Sequence, residues 1–215
     1  MKSKPNNMKS LFHYLLTLLS FVFIGSSCQK EEITVEDELP PITQEGLNTF
    51  GCKIDGEVLV PKDGTPSSLF SFGSTKGLTA GNVEVGIIND EFQRYFYIQG
   101  INTQDGNGDY VFLYIPNLKT AGEYELGNST GSTMYENYSP NHAIVFLGDD
   151  KNDGEKYLSF ENGGEINITR YDSINSIVSG TFEFDVIKES DPFSDTLSVT
   201  EGRFDINWRT LNEEE

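Results

Sequence analysis

From residue 48 onward, apolar positions recur at every second residue, and no stretch keeps the spacing of an amphipathic helix. The pattern predicts strands over 49–54 and 57–60. They flank Asp55-Gly56, a pair that tolerates positive φ at both positions and so suits a type I′ hairpin turn. Further strands are predicted over 82–89, 92–102, 110–115, 123–126, 143–147, 155–160, 165–171, 177–187 and 196–208, with turns rich in Gly, Asn and Asp between them. Residues 127–141 read as one long polar loop. In the last two strands the alternation is clean. Phe182, Phe184 and Val186 oppose Thr181, Glu183 and Asp185, while Phe204, Ile206 and Trp208 oppose Arg203, Asp205 and Asn207. Each such strand belongs to an antiparallel sheet with one face in water. The expected fold is therefore all-β: an antiparallel β-sandwich or, as the alternative, a flattened, lipocalin-like β-barrel.

Ahead of this domain the pattern changes twice. Lys2, Lys4 and Lys9 precede an almost wholly apolar run over 11–24, too short to span a bilayer comfortably, and Gly25, Ser26, Ser27 and Cys28 follow. That is the order of a bacterial lipoprotein signal peptide, cut just before a cysteine whose thiol is acylated. Gly25 departs from the leucine usual three positions before that cysteine. Residues 1–27 are thus expected to be a signal peptide and Cys28 the lipidation site, with an ordinary secretory signal as the alternative. Residues 28–48 carry Glu31, Glu32, Glu36, Asp37 and Glu38 and then Pro40-Pro41, a composition that reads as an acidic tether. Residues 49–210 fit a single domain. Cys52, left alone in an apolar strand, reads as a small buried hydrophobe; a Cys28–Cys52 disulfide is the rival.

Charge narrows the partners. Removing residues 1–27 takes away three lysines and no acid, so a chain carrying −19 becomes one carrying −22. Such a balance repels phosphate backbones and anionic headgroups, which argues against nucleic acid and against a basic membrane-docking patch. Contact with the membrane is expected through the N-terminal lipid.

Two sets of residues carry a resemblance. Cys28-Gln29-Lys30-Glu31-Glu32 resembles the lipoprotein export signal of the Bacteroidota, which implies lipid anchoring at the outer membrane with the protein facing the cell exterior. Pro40-Pro41-Ile42-Thr43, Thr49-Phe50-Gly51-Cys52-Lys53-Ile54-Asp55-Gly56, Ser179-Gly180-Thr181-Phe182-Glu183-Phe184 and Glu201-Gly202-Arg203-Phe204-Asp205 resemble an uncharacterised family of Bacteroidota surface lipoproteins over about residues 38–208. The resemblance implies location and fold, and it supplies no activity.

Catalytic patterns are thin. Gly127-Asn128-Ser129-Thr130-Gly131 matches G-x-S-x-G, but the elbow needs a following helix and a histidine base, and His142 is the only histidine after the signal segment. One histidine and no thiol cluster do not make a typical transition-metal site. The chain is expected not to be an enzyme and to need no cofactor. Calcium is a weaker candidate. Asp105, Asn107 and Asp109 alternate as in a calcium loop, but Tyr110 stands where a glycine would continue it and Pro116 where a late glutamate would close it. Asp149 and Asp153 form a second acidic turn, interrupted by Lys151. Ser173 in Asp172-Ser173-Ile174 and Thr196 in Asp195-Thr196-Leu197 resemble O-glycosylation acceptors of the Bacteroidota.

The aromatic residues carry the functional expectation. Tyr95 and Tyr97 share one face of a strand, and Tyr110, Phe112 and Tyr114 share one face of the next, with Phe96, Ile98, Val111, Leu113 and Ile115 turned to the core. Five rings on one hairpin face suit stacking against sugar faces, whereas rings covered by another sheet would be ordinary core. Met134, Tyr135 and Tyr138 in the long loop suit a partner-contact tip. The expected role is a binding module for a glycan or peptide; the alternative is a non-catalytic structural or accessory part of a cell-envelope assembly.

Overall fold

The structure, a computed structural model, describes residues 37–64, 76–88, 90–104, 108–136, 139–149, 152–193 and 196–213. The expected signal peptide, Cys28 and the start of the tether lie outside these residues. The described chain forms ten strands: β1 Thr49–Ile54, β2 Glu57–Leu59, β3 Leu78–Ile88, β4 Glu91–Ile101, β5 Tyr110–Pro116, β6 Gly122–Glu125, β7 His142–Asp149, β8 Asn152–Asp172, β9 Ile177–Lys188 and β10 Leu197–Asn207. A 3₁₀ turn at Thr210–Asn212 follows. Asp55 and Gly56 both take positive φ, +48° and +92°, as the hairpin between β1 and β2 requires.

All strands lie in one antiparallel sheet, in the order β2-β1-β10-β9-β8-β7-β5-β4-β3, with β6 paired to β8. The fold is all-β and antiparallel as expected, and it takes the barrel-like form of that expectation, with one sheet in place of two. One sheet curls on itself into a half-barrel and buries its inner face against itself. Bulges in the β1–β10, β9–β10, β8–β9, β7–β8 and β3–β4 pairings supply the extra twist. The curl brings β1 across to β4. The Phe50 ring lies so close to Gly100 that a β-carbon there would sit 2.5 Å from it. Lys62, past β2, donates its amide to the Ile101 carbonyl at 3.0 Å. The interior is filled by alternate side chains, among them Phe50, Cys52, Phe96, Ile98, Val111, Leu113, Ile166, Val178, Phe182, Phe204 and Ile206. Each large apolar side chain buried this way contributes roughly 1.5–3 kcal/mol.

Several expectations need correction. The strands expected at 155–160 and 165–171 are one bent strand, β8, because Gly163 and Gly164 fall in a bulge opposite β9 rather than in a turn. Cys52, by contrast, is as expected: a free thiol, fully buried, with its pKa pushed up to about 12 by burial. Asp205 lies on the face expected to be wet, yet it is 1% exposed. What covers it is the segment expected to be the end of the tether. Residues 43–47 wrap the Asp205 carboxylate, which accepts hydrogen bonds from Thr43 Oγ1 at 2.7 Å and from the amides of Glu45, Gly46 and Leu47 at 2.9, 2.8 and 3.2 Å. Ser179 Oγ on β9 adds a fifth at 2.6 Å. Lys62 pairs with Asp37 at 2.6 Å, and Arg170 donates to the Gln44 carbonyl. From Asp37 on, the chain belongs to the folded body.

Burial opposes ionisation of Asp205, but the bonds from Ser179, Thr43, Glu45 and Gly46 outweigh it and hold its pKa below the ordinary aspartate value. The stability this carboxylate adds is present above the unfolded aspartate pKa, near 3.9, and is lost as pH falls through the lower folded value. Asp205→Ala, which strands several buried donors, is expected to cost about 3 kcal/mol or more in chemical denaturation. Asp205→Asn should flatten the loss of stability below about pH 4; an unchanged acid profile in that variant would remove Asp205 as its source.

Candidate functional site

The five aromatic residues singled out on the β4–β5 hairpin do share one face, the outer face of the curled sheet. Antiparallel register sets them in rows. Tyr97 pairs with Tyr114, and Tyr114 with His142 on β7; Gln99 pairs with Phe112, and Phe112 with Ile144; Tyr110 pairs with Phe146. Tyr95 stacks on Tyr114 with centroids 5.0 Å apart, Tyr97 on Phe112 at 6.0 Å, and Tyr110 on Phe146 at 5.4 Å. Phe112, Tyr114 and Ile144 form a second, smaller core, with Tyr95, Tyr97, Tyr110 and Leu158 packed around it.

Exposure divides the set. Phe112 and Tyr114 are buried, while Tyr95, Tyr97 and Tyr110 are half-buried and keep contact with solvent. The expectation that all five rings reach the surface is corrected for Phe112 and Tyr114. No second sheet causes this. The cover is the loop 127–141, whose ends are tied by the Gly127 amide donating to the Asn141 carbonyl at 2.8 Å. Ser159 on β8 fixes its start, its hydroxyl donating to the Gly127 carbonyl at 2.9 Å while accepting from the Ala143 amide. Tyr135 comes down from the loop onto Tyr95, centroids 6.3 Å apart, and Met134 stays 74% exposed beside it. Tyr138 lies outside the described residues. At the opposite margin the Tyr97 ring lies over Gly81 of β3, where a β-carbon would meet it at 2.9 Å. Glycine there leaves the ring flat against the sheet.

His142 locks the loop from below. Fully buried, it stacks on Tyr114 with centroids 4.5 Å apart. Its Nε2 faces the Ser132 carbonyl at 3.1 Å, and its Nδ1 lies 3.1 Å from the Pro140 carbonyl and 3.2 Å from Ser139 Oγ. A neutral ring donates to only one of the two carbonyls: with its proton on Nε2 it bonds the Ser132 carbonyl and Nδ1 accepts from the Ser139 hydroxyl, leaving the Pro140 carbonyl without that donor. Burial lowers the His142 pKa, against the opposing pull of the Pro140 and Ser132 carbonyls and Glu136. Ser139 and His142 thus form a hydroxyl–imidazole pair that the sequence did not single out, but a backbone carbonyl occupies the position where a triad places an orienting acid. Ser129 instead accepts the Gly131 amide within its own turn. Tyr114 Oη is buried without a hydrogen bond of good geometry among the described residues, and burial, with Tyr135 and Tyr95 beside it, outweighs the opposing pull of the nearby Glu136 backbone and pushes its pKa up to about 12.

The other candidates separate. Asp109 Oδ1 accepts the Gly148 amide at 2.8 Å, which ties the β4–β5 loop to β7; Asp105 and Asn107 lie outside the described residues. So do the side chains of Asp149 and Asp153. Ser173 is exposed at the tip of the β8–β9 turn, which Asp172 organises by accepting the amides of Ile174 and Asn175 at 3.2 and 3.0 Å. Thr196 is exposed before β10, and Asp195 lies outside the described residues. Two clefts lie apart from the aromatic face. One of about 230 Å³ is lined by Glu165, Thr181, Glu183 and Arg203, and one of about 300 Å³ by Glu38, Phe50, Val60 and Leu78.

A family model described as a domain of unknown function, DUF6252, matches residues 87–205, from the end of β3 to Asp205. No curated protein and no solved structure matches the chain.

Two outcomes test this geometry. Tyr114→Phe removes a buried hydroxyl that has no well-formed hydrogen bond among the described residues, so thermal unfolding should show a change between zero and about 1 kcal/mol of stabilisation. With a His142 pKa lower folded than unfolded, the unfolded chain takes up the proton first, so stability should fall as pH drops below about 6.5. His142→Gln should lose that slope, and a wild-type profile flat between pH 7 and 5 would contradict the buried, neutral ring.

Proposed function

Because the chain belongs to the DUF6252 family, whose function is unknown, its role has to be read from its own surface, and we propose that it is a non-catalytic carbohydrate-binding domain held at the outer membrane by lipid on Cys28. One observation carries the binding half of this reading. The outer sheet face bearing Tyr95, Tyr97 and Tyr110 is covered by a loop over one part only, and those three rings stay half-exposed, Tyr95 tilted against Tyr97 with centroids 6.2 Å apart and Tyr110 stacked on Phe146. Half-exposed rings fixed on a rigid sheet present flat apolar faces at little entropic cost, and sugar rings offer a complementary apolar face edged with hydroxyls. Gln99, half-buried beside Phe112 and Tyr97, supplies a polar group at the margin. Phe112 and Tyr114 serve as the floor that holds the exposed rings in place.

The anchoring half rests on Lys2, Lys4 and Lys9, the apolar run over 11–24 and Cys28 with its Gln29-Lys30-Glu31-Glu32 sequel. A surface address suits a chain that carries −19 and so repels anionic headgroups while remaining soluble beyond them. O-glycosylation at Ser173 and Thr196 fits the same address.

A glycan array probed with the chain, followed by titration of any hit, tests binding. Tyr97→Ala and Tyr110→Ala should each weaken a genuine ligand by about tenfold, or 1.4 kcal/mol, with unfolding midpoints little changed. A silent array would end the carbohydrate reading. Cys28→Ala should move the protein from the membrane to the soluble fraction, and retention in the membrane would refute lipid anchoring there.

A further inference from the structure

Three large apolar side chains stand exposed together on the β3–β4 ribbon: Ile87 at 75%, Phe92 at 46% and Val85 at 36%. The ribbon outruns its neighbour. Tyr95 of β4 pairs with Pro116, the last residue of β5, so residues 91–94 have β3 as their strand partner among the described residues. β3 itself ends the sheet. Its first half is capped from the 3₁₀ turn, where Asn212 Nδ2 donates to the Ala80 carbonyl at 3.0 Å.

That bond fixes the direction of the backbone groups. The Ala80 carbonyl points away from β4, and in an antiparallel ladder the N–H and C=O of alternate residues turn to the same side. Those of Asn82 and Glu84 therefore face outward too, and among the described residues no hydrogen bond reaches them. The side chains alternate in chemistry as well. Asn82 and Glu84 share the inward parity of Ala80; Asn82 Oδ1 is buried with no hydrogen-bond partner among the described residues, and Glu84 is exposed. Gly81 and Val83 lie on the outer face, opposite Tyr97 and Tyr95.

We propose that the β3 edge at Asn82–Glu84 receives an extended segment of a partner protein in which apolar and basic residues alternate. The added strand closes the open backbone groups. Its inward lysine or arginine donates to Asn82 Oδ1 and the Glu84 carboxylate, and its outward apolar residue packs beside Val83. The bulge between Glu84 and Gly86 limits the ladder to this stretch, and Ile87 and Phe92 extend the contact beyond it. Charge selects the basic partner over a second copy of this chain, which would bring Glu84, Asp90 and Glu91 against an equally acidic surface at a net −19. This edge borders the proposed carbohydrate face where Gly81 and Val83 pair with Tyr97 and Tyr95, but it is argued from the backbone groups of β3 and not from the rings, so the two readings stand or fall separately.

The isotope-labelled full-length chain in detergent, titrated with a capped peptide of alternating valine and lysine, tests the proposal by amide exchange. The comparator is the same peptide methylated on alternate backbone nitrogens, which keeps the charge and removes ladder donors. Exchange at Asn82 and Glu84 should slow about tenfold or more with the first peptide and not with the second. Glu84→Lys, an exposed substitution, should weaken binding about tenfold. Equal binding of both peptides, binding of neither, or protection confined to the Glu165 and Glu183 surface would overturn the proposal. Concentration-dependent protection of the same amides without peptide would assign the edge to a second copy and overturn the basic partner.

Discussion

A single sheet that buries its inner face against itself has no second sheet to offer its outer face, and most of this molecule follows from that constraint. Curling satisfies Phe50, Phe96, Ile98, Phe182 and their neighbours at the interior. The outer face then has two choices at each point: to be polar, or to be covered by chain that is not strand. The structure uses both. Over β8–β10 it exposes Glu165 and Glu183 and leaves Thr181 half-buried between them. Elsewhere it lays down two covers, residues 37–48 over β10 and the loop 127–141 over β5 and β7.

The covers are fastened by opposite physics. The N-terminal cover is held chiefly by one buried anion that collects three amides and a hydroxyl from residues 43–47 and a second hydroxyl from β9. The loop is held by rings, with Tyr135 on Tyr95 and, at the start of β7, His142 stacked on Tyr114 with its pKa lowered by burial. The first depends on charge and on ladder-like geometry, the second on area removed from water. Because the loop stops short of Tyr97 and Tyr110, the aromatic face is divided into a sealed floor and an open margin, and that division is what gives the surface a candidate site at all.

Most strands were legible from alternation alone, since a strand with one wet face writes its burial into every second residue. The bounds of β1 and the separation of Phe96 and Ile98 from Tyr95 and Tyr97 follow directly from that rule. Two things were not legible. Asp205 reads as a surface acid because periodicity reports which face a residue takes, and it cannot report that a segment some 160 positions earlier lies on that face. Phe112 and Tyr114 carried a signal that alternation obscures. Val111–Ile115 and Ala143–Leu147 are apolar without interruption, the mark of strands buried on both faces, and this foretold a cover over the aromatic rows. The bend in β8 reads as a turn because glycines mark bulges and turns alike.

The clasp on Asp205 also has a mechanical side. Any pull on the chain ahead of Asp37 arrives at residues 43–47 before it arrives at β1. Three amides and a hydroxyl there converge on a single carboxylate, so tension loads them together instead of peeling them one after another. A connection of that kind gives way as a unit, and it stands between any such pull and the first strand of the sheet.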